Sequence, residues 1–450
     1  MSVPVFMLAM LVLYVPNQGL FPTTLGVMGL NVFNLLFAFT VLTIVMQRPV
    51  TQTPARNVGD RQRPPFTNVL LAYYGVLTLA LAIALLGNSP HPVDDVVAWK
   101  NLVSYSLLYF LAYYAVRSLS QVRFLVIVIL LVFVIASAEA VMQGINYGLH
   151  EYANDRRASG PFGEDAGNSN FAGIFYAIFS TFALAIALLG KRIGFSWRML
   201  AAAAYVIGCL AILATFSRQA FLVIGVTTLL LALRRNPLIA IAIVAFLAAY
   251  PLWAPQGVIE RIAMTQQTTT SGEEVLESSA ASRYALWGGA LEIIKRNPAG
   301  VGMNQFQREV EPYLPEWIMA RDAQNQYLRF AAETGIQGLL VFLILLLSFI
   351  RLGLRIRRLD SPPDAGALGS AFIVSTLAVC LGNIFSSTFA FGEIMASFWI
   401  MSGLLAKYLV LAQSEATSNV DARVSAPIDT IRQVYARWNH TRETDQRSIH

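Results

Sequence analysis

The chain has 450 residues, of which 56% are hydrophobic and only 13% are charged. This composition and a mean hydropathy of +0.57 exclude a set of ordinary soluble domains and indicate a polytopic membrane protein. The formal charge of +6 does not indicate nucleic-acid binding, because the basic residues are distributed as membrane-orientation signals.

Apolar runs near the length of about 20 residues that spans a bilayer recur along the chain. We predict an all-α fold with about twelve transmembrane helices. The predicted spans are Val3–Tyr14, Leu20–Met46, Phe66–Leu86, Val97–Val116, Phe124–Met142, Phe171–Leu189, Met199–Phe216, Ala220–Leu233, Leu238–Leu252, Thr334–Ile350, Ala367–Leu381 and Met395–Leu411. The predicted regions are 1–253 with spans 1–9, an insertion over 254–333, 334–411 with spans 10–12, and a disordered tail over 412–450.

Lys and Arg residues are concentrated in alternate connections between the predicted spans. The basic connections contain Arg48, Arg56, Arg61 and Arg63; Arg117 and Arg123; Lys191, Arg192 and Arg198; Arg234 and Arg235; and Arg351, Arg355, Arg357 and Arg358. Basic loops of membrane proteins face the cytoplasm. We therefore predict that both termini lie in the cytoplasm and that the insertion lies outside.

The sequence predicts neither a metal site nor a bound cofactor. Cys209 and Cys380 lie inside predicted spans, and the four histidines lack metal-ligand spacing. The "GVG" at Gly300 to Gly302 predicts a turn and not a nucleotide-binding loop.

Two outward segments depart from plain membrane helix. The polar and glycine-rich stretch from Gly144 to Asn170 is either a cover over a site or an ordinary solvated loop. In the insertion, Ser282 is the predicted N-cap of an amphipathic helix that Asn297 and Pro298 end. Its predicted apolar face consists of Tyr284, Trp287, Leu291 and Ile294.

The stretch "LATFSRQAFL" places Arg218 between two apolar runs, at the predicted outer end of the seventh span. One interpretation is an interfacial anchor whose side chain reaches the headgroups. The other is an anion site, because the guanidinium fork matches phosphate oxygens. Arg156, Arg157 and Arg283 are predicted on the same face, and together the four arginines favour a lipid-linked phosphate ligand. Glu139 and Glu333 are predicted to form structural salt bridges, Glu333 with Arg329.

Four segments, in this order, resemble the O-antigen ligase and polymerase superfamily of membrane glycosyltransferases. They are "RASGPFGEDAGNSNFAG", "TFSR", "SRYALWGGALEIIKRNPAGVGMNQF" and "QNQYLRFAAETGIQG". The resemblance implies transfer of a glycan from undecaprenyl diphosphate at the periplasmic face of the bacterial inner membrane, without a metal or nucleotide sugar. The implied acceptor is lipid A core, another lipid-linked repeat, or a protein.

The resemblance also implies the site residues. Arg218, Arg283 and Gln324 are the catalytic candidates. The substrate-binding candidates are Arg156, Arg157, Thr215, Ser217, Asn325, Tyr327 and Glu333.

One position departs from the family pattern. The ligases usually have a histidine where this chain has Gln324, and glutamine cannot accept a proton at neutral pH. Either another group is the general base, with Glu311, Asp322 and Glu333 as candidates, or the reaction needs little general base because the diphosphate is a good leaving group. A third alternative is that this chain uses a different acceptor or has lost activity. A transporter of an anionic or glycan substrate and a structural partner in a polysaccharide assembly complex are the alternative functions.

Overall fold

The computed structural model describes residues 2–21, 31–47, 63–163, 168–190, 193–264, 266–268, 274–276 and 278–417. The α-helices in these ranges are α1 (Val3–Tyr14), α2 (Val32–Met46), α3 (Thr67–Leu86), α4 (Pro92–Ala115), α5 (Leu119–Tyr147), α6 (Asn168–Leu189), α7 (Phe195–Ala214), α8 (Arg218–Arg235), α9 (Pro237–Ala248), α10 (Gln256–Ala263), α11 (Ser278–Arg296), α12 (Phe306–Val310), α13 (Gln326–Arg357), α14 (Ala365–Gly382) and α15 (Gly392–Thr417). Two short strands, β1 (Gln266–Thr268) and β2 (Glu274–Leu276), pair antiparallel.

Each of the twelve predicted spans overlaps one of these helices. Among the described residues, α3, α5, α6, α7, α13, α14 and α15 are long and apolar enough to cross a membrane. Helices α1, α2 and α9 are apolar but shorter. The chain is thus a multi-pass helical membrane protein, and the count of twelve spans stays a prediction.

The centre of the helical bundle is formed by α6, α14 and α15, whose side chains are mostly buried. Helix α6 packs against α7, α8 and α14. At Gly173 of α6 an added Cβ would lie 2.9 Å from the Cβ atoms of Ser217 and Ala220, so only glycine permits this approach to the start of α8. The close packing holds the Thr-Phe-Ser-Arg segment against the bundle core.

The two ends of the bundle differ. At one end, Arg123 forms two hydrogen bonds with Asp364, and Arg198 and Arg235 donate to carbonyls in the last turn of α6. These arginines belong to the basic connections predicted above. The insertion lies at the other end, next to the start of α6. Five of the predicted basic residues lie outside the described residues, namely Arg48, Arg56, Arg61, Lys191 and Arg192. The predicted tail from residue 418 onward also lies outside them.

The insertion forms a small packed unit of its own. Its core contains Leu286, Ala290 and Ile293 of α11, Phe306 and Val310 of α12, and Ala323 and Ala332 beyond. Helix α11 ends at Arg296, as Asn297 and Pro298 predict.

Two predictions about α11 are wrong. The helix begins at Ser278, so Ser282 is not its N-cap; instead Ser282 Oγ accepts a hydrogen bond from Arg321 Nη2 over 2.6 Å. The buried face also differs, because Tyr284 and Leu291 are exposed. Gly289 and Ala290 let α12 approach that neighbouring face closely, and a pattern that counts only bulky apolar residues misses such a contact.

Helix α13 is interrupted at Gly335, which has φ +78° and ψ 178°. The predicted Gly300–Gly302 turn is confirmed and packs into this interruption. Val301 and Gly302 donate backbone hydrogen bonds to the carbonyls of Ala332 and Glu333 over 2.9 and 3.0 Å. The break therefore joins the insertion to the membrane helix.

The two predicted salt bridges have different outcomes. Arg329 Nε lies 3.2 Å from Glu333 Oε1, so that prediction is confirmed. Glu139 forms no ion pair with any residue that the structure describes. It lies half-buried in α5, where the side chain of the next turn, Gln143, binds the backbone of Ser159 and Gly160.

Candidate functional site

The loop before α6 is held against the turn between α7 and α8. The backbone N–H of Ala158 donates to the Ala214 carbonyl over 3.1 Å. The Arg157 side chain donates from Nε to the Thr215 carbonyl over 2.9 Å and from Nη2 to Asn170 Oδ1 over 2.6 Å. The segment from Gly144 to Asn170 is therefore anchored at this point, and Arg157 is the side chain that joins the "RASG" and "TFSR" segments.

Arg157 is only 5% exposed, and its guanidinium interacts with the charges of three other arginines. Burial, followed by the charges of Arg261, Arg218 and Arg283, lowers the pKa of the Arg157 guanidinium to about 10. The side chain remains charged at neutral pH. The structure thus brings together the three arginines that the sequence placed on different segments, and it adds Arg261 as a fourth.

Arg218 is the first residue of α8, and Ser217 is its N-cap. The N-terminus of a helix carries a partial positive charge, so an arginine there adds to the positive potential instead of offsetting it. Thr215 Oγ1 shapes the turn by donating to the Ile212 carbonyl and accepting from the Ser217 N–H. Ser217 Oγ is buried and has no hydrogen-bond partner among the described residues. This combination is typical of an anion-binding helix end.

Arg261 was missed in the sequence analysis. It lies in the short helix α10, 7% exposed, with its guanidinium 4.5 Å from the centre of the Tyr152 ring. Tyr152 packs edge-on against Phe216 in the Thr-Phe-Ser-Arg segment, with ring centroids 5.6 Å apart. The pattern "QGVIERIA" is strongly amphipathic, and this was the one available signal that an arginine there faces the protein.

Arg283 and Gln324 are in direct contact. Arg283 Nε donates to Gln324 Oε1 over 2.7 Å. Gln324 has a left-handed backbone, with φ +50°, and its N–H donates to Asp322 Oδ2 over 3.2 Å. Gln324 therefore binds a member of the arginine cluster.

A buried ion-pair network lies behind this contact. Arg329 binds Asp322 Oδ1 and Glu333 Oε1, both over 3.2 Å. The Glu333 side chain is 6% exposed, whereas that of Asp322 is 27% exposed. Glu333 therefore anchors Arg329 inside the protein, and Asp322 is the member of the network that faces Gln324.

Of the remaining predicted site residues, Asn325 and Tyr327 form hydrogen bonds with the protein backbone, and Arg156 does not join the arginine cluster. Asn325 caps α13 by accepting hydrogen bonds from the N–H groups of Tyr327 and Leu328. The Tyr327 hydroxyl donates to the Cys380 carbonyl over 2.9 Å. Arg156 is exposed on a turn and is not among the charges that perturb Arg157.

The site thus consists of four arginines from four segments, next to a helix N-terminus. The family model described as O-antigen ligase matches residues 203–343. Residues 203–343 are therefore an O-antigen ligase segment, which makes up less than half of the chain. The matched segment contains the Thr-Phe-Ser-Arg turn and three of the arginines, Arg218, Arg261 and Arg283, whereas Arg157 lies outside it. A search of curated proteins gave no match to the chain.

A cluster of arginines at a helix N-terminus binds phosphate oxygens through paired hydrogen bonds. In the described ranges no group of three or more His, Cys, Asp or Glu side chains has the geometry of a metal site. The chemistry that these residues can supply is the binding and stabilisation of negative charge.

Proposed function

We propose that the chain transfers a glycan from undecaprenyl diphosphate to an acceptor hydroxyl at the periplasmic face of the bacterial inner membrane, without a metal ion or another cofactor. Two observations carry this proposal: the buried Arg157 binds the Thr215 carbonyl in the turn that precedes Arg218, and its guanidinium interacts with the charges of Arg218, Arg261 and Arg283. The O-antigen ligase match supports a membrane enzyme that transfers lipid-linked glycans. The cluster lies at the end of the bundle opposite to the basic connections, which supports a periplasmic site.

In this mechanism Arg218 and Arg283 bind the diphosphate, while Arg157, Thr215 and Ser217 shape the turn that holds Arg218 in place. The acceptor oxygen attacks the anomeric carbon of the donor sugar and forms the new C–O bond. The bond from that carbon to the phosphate oxygen breaks, and its electron pair leaves with undecaprenyl diphosphate. The arginines stabilise this developing negative charge.

Gln324 has a positioning role in this mechanism. It accepts a hydrogen bond from Arg283 and thereby fixes the guanidinium that faces the leaving group. Asp322 is our candidate for the group that takes the proton of the acceptor hydroxyl, because it lies next to Gln324 and is the more exposed carboxylate of the Arg329 network. Glu333 is less suited to this role because it is buried in its ion pair with Arg329. Glu311 is also less suited because it lines a cavity that none of the four arginines lines.

The acceptor separates two versions of the proposal. A ligase uses an acceptor such as lipid A core, whereas a polymerase uses a second lipid-linked repeat, and both use the same donor and the same arginines. A gel of surface glycan from a deletion strain distinguishes them. Loss of all attached chains indicates a ligase, and retention of single repeats indicates a polymerase.

The arginine cluster is tested by complementing the deletion strain with Arg218→Ala and Arg283→Ala at matched protein levels. We expect neither variant to restore the glycan. Lys295→Ala is the matched control, because Lys295 is an exposed cation on the same helix as Arg283 and pairs only with Glu292 among the described residues. Full restoration by both arginine variants would refute diphosphate binding at this cluster.

A further inference from the structure

A cavity of about 1020 Å³ opens between the start of α4 and residues 304–320 of the insertion. None of the four clustered arginines lines it. Its volume is at the upper end of the range of roughly 300–1,000 Å³ that is typical of ligand pockets, so it has room for a ligand of several rings. The proposed transfer reaction gives this cavity no role.

The floor of the cavity is a pre-formed polar network. Asp95 is 1% exposed, and its carboxylate accepts hydrogen bonds from Gln305 Nε2 over 2.9 Å and Asn304 Nδ2 over 3.2 Å. Gln305 Nε2 also lies 3.2 Å from Ser89 Oγ. The backbone of this segment is fixed as well, because Met303 N–H donates to the Ala80 carbonyl over 2.9 Å. The floor is therefore rigid and needs no rearrangement to receive a ligand.

The walls combine carboxylates with an aromatic ring. Asp94, Glu311 and Glu316 are exposed, and the Trp317 side chain is 67% exposed at the rim. Carboxylates accept hydrogen bonds from pairs of hydroxyl groups, and side-chain amides both accept and donate them. An indole ring packs against an apolar ring face. These are the groups that recognise a sugar ring.

The charge of the lining indicates which sugars fit. The lining contains four carboxylates and one guanidinium. The carboxylates are those of Asp94, Asp95, Glu311 and Glu316, and the guanidinium is that of Arg308. Arg308 is itself paired with Glu309 over 2.7 Å. The local potential is therefore negative and disfavours a ligand that carries carboxylates.

We propose that this cavity binds the glycan part of the substrate and that its acidic lining selects neutral or amino-sugar chains over acidic ones. This inference rests on the proposed glycan transfer. The cavity and the arginine cluster share one segment: Ala320 lines the cavity, Arg321 binds Ser282, and Gln324 binds Arg283. Four residues of backbone span at most about 14 Å, so the two sites are neighbours. Opposite potentials at the two sites orient a lipid-linked glycan, with its diphosphate at the arginines and its sugars at the carboxylates.

The test measures binding of a lipid-free oligosaccharide to the full-length protein in detergent. The probe is the repeat oligosaccharide released by mild acid from the surface polysaccharide of the source bacterium, together with a sample whose primary hydroxyls have been oxidised to carboxylates. We expect the unmodified probe to bind about tenfold more tightly than the oxidised one, because the lining repels added negative charge. Trp317→Ala should weaken binding about two- to tenfold through loss of the ring contact. Glu311→Gln should reduce the discrimination between the two probes.

The controls are Trp253→Ala and Glu292→Gln, which change an exposed indole and an exposed carboxylate outside the cavity. Both should bind like the parent, and all four variants should retain the parent's affinity for inorganic pyrophosphate. The inference is overturned by absence of binding, by equal binding of the two probes, or by cavity variants that behave like the controls. Failure of the proposed function appears separately, as full restoration of the glycan by both Arg218→Ala and Arg283→Ala.

Discussion

The Nε–H of Arg283 is bound to Oε1 of Gln324 over 2.7 Å, so the side chain that is predicted to replace a histidine holds an arginine of the cluster. Glutamine cannot take a proton from an acceptor hydroxyl at neutral pH, but its carbonyl oxygen is a good hydrogen-bond acceptor. In the proposed mechanism, Gln324 therefore positions Arg283, and a different residue, Asp322, takes the proton.

The first prediction concerns Gln324→Ala. A hydrogen bond to a charged group contributes about 1.5–3 kcal/mol, so its loss should lower glycan transfer roughly 10- to 100-fold through misplacement of Arg283. Gln324→Glu keeps an acceptor atom at the same place and should retain more activity than the alanine variant. The measurement is the amount of glycan transferred by complemented strains at matched protein levels. An alanine variant as active as the parent would remove Gln324 from the mechanism.

The second prediction concerns the interruption of α13. Gly335 has φ +78°, and an added Cβ would lie 2.5 Å from Ala299 atoms, so Gly335→Ala strains the backbone by roughly 1–3 kcal/mol and displaces the Gly300–Gly302 turn. We expect a lower thermal unfolding midpoint in detergent and reduced transfer. Gly288→Ala is the matched control, because Gly288 lies inside α11, where an added Cβ would have open space around it. It should unfold at the same or a higher temperature.

The sequence was sufficient to locate the helices and the Thr-Phe-Ser-Arg turn, because apolar length and basic loops are strong membrane signals. It also placed Arg157, Arg218 and Arg283 on one face. Their convergence depends on contacts between distant segments, such as Arg157 with the Thr215 carbonyl, which no local pattern encodes. Arg261 was missed for the same reason.

The packing of small residues limited the prediction of the insertion. Gly289 and Ala290 determine which face of α11 is buried, although neither adds to an apolar count. The interruption at Gly335 was equally hidden, since a single glycine inside a helical pattern is common. Its conformation becomes evident only with the turn that packs into it.

The third prediction is a pH dependence of anion binding. The pKa of Arg157 is lowered to about 10, by burial first and then by the neighbouring arginines. A bound diphosphate favours the protonated form, so affinity is fully present below this pKa and is lost as the pH rises through about 10. Calorimetric titration with pyrophosphate should show a decline in affinity between about pH 9 and about pH 10.5 that is larger in the parent than in Arg157→Ala, because the charge of pyrophosphate changes equally in both titrations.

Arg157→Ala is the control for this dependence. The variant should bind pyrophosphate more weakly at neutral pH and should lose the part of the decline that arises near pH 10. A decline of the same size in the variant would assign the titration to another group, and a decline centred near neutral pH in the parent would contradict a role for Arg157.

The fourth prediction separates proton transfer from binding at Asp322. Arg329 Nη1 and the Gln324 N–H bind different oxygens of Asp322, so Asp322→Asn keeps an acceptor for one of them, and its amide cannot take a proton. If Asp322 is the general base, transfer should fall by about 10²–10⁴-fold, which is the usual contribution of such a group, while pyrophosphate affinity stays unchanged. Asp322→Glu should recover part of the rate. Loss of both rate and affinity in Asp322→Asn would instead show that the carboxylate supports the arginine cluster, and an unchanged rate would mean that the diphosphate departs without a general base.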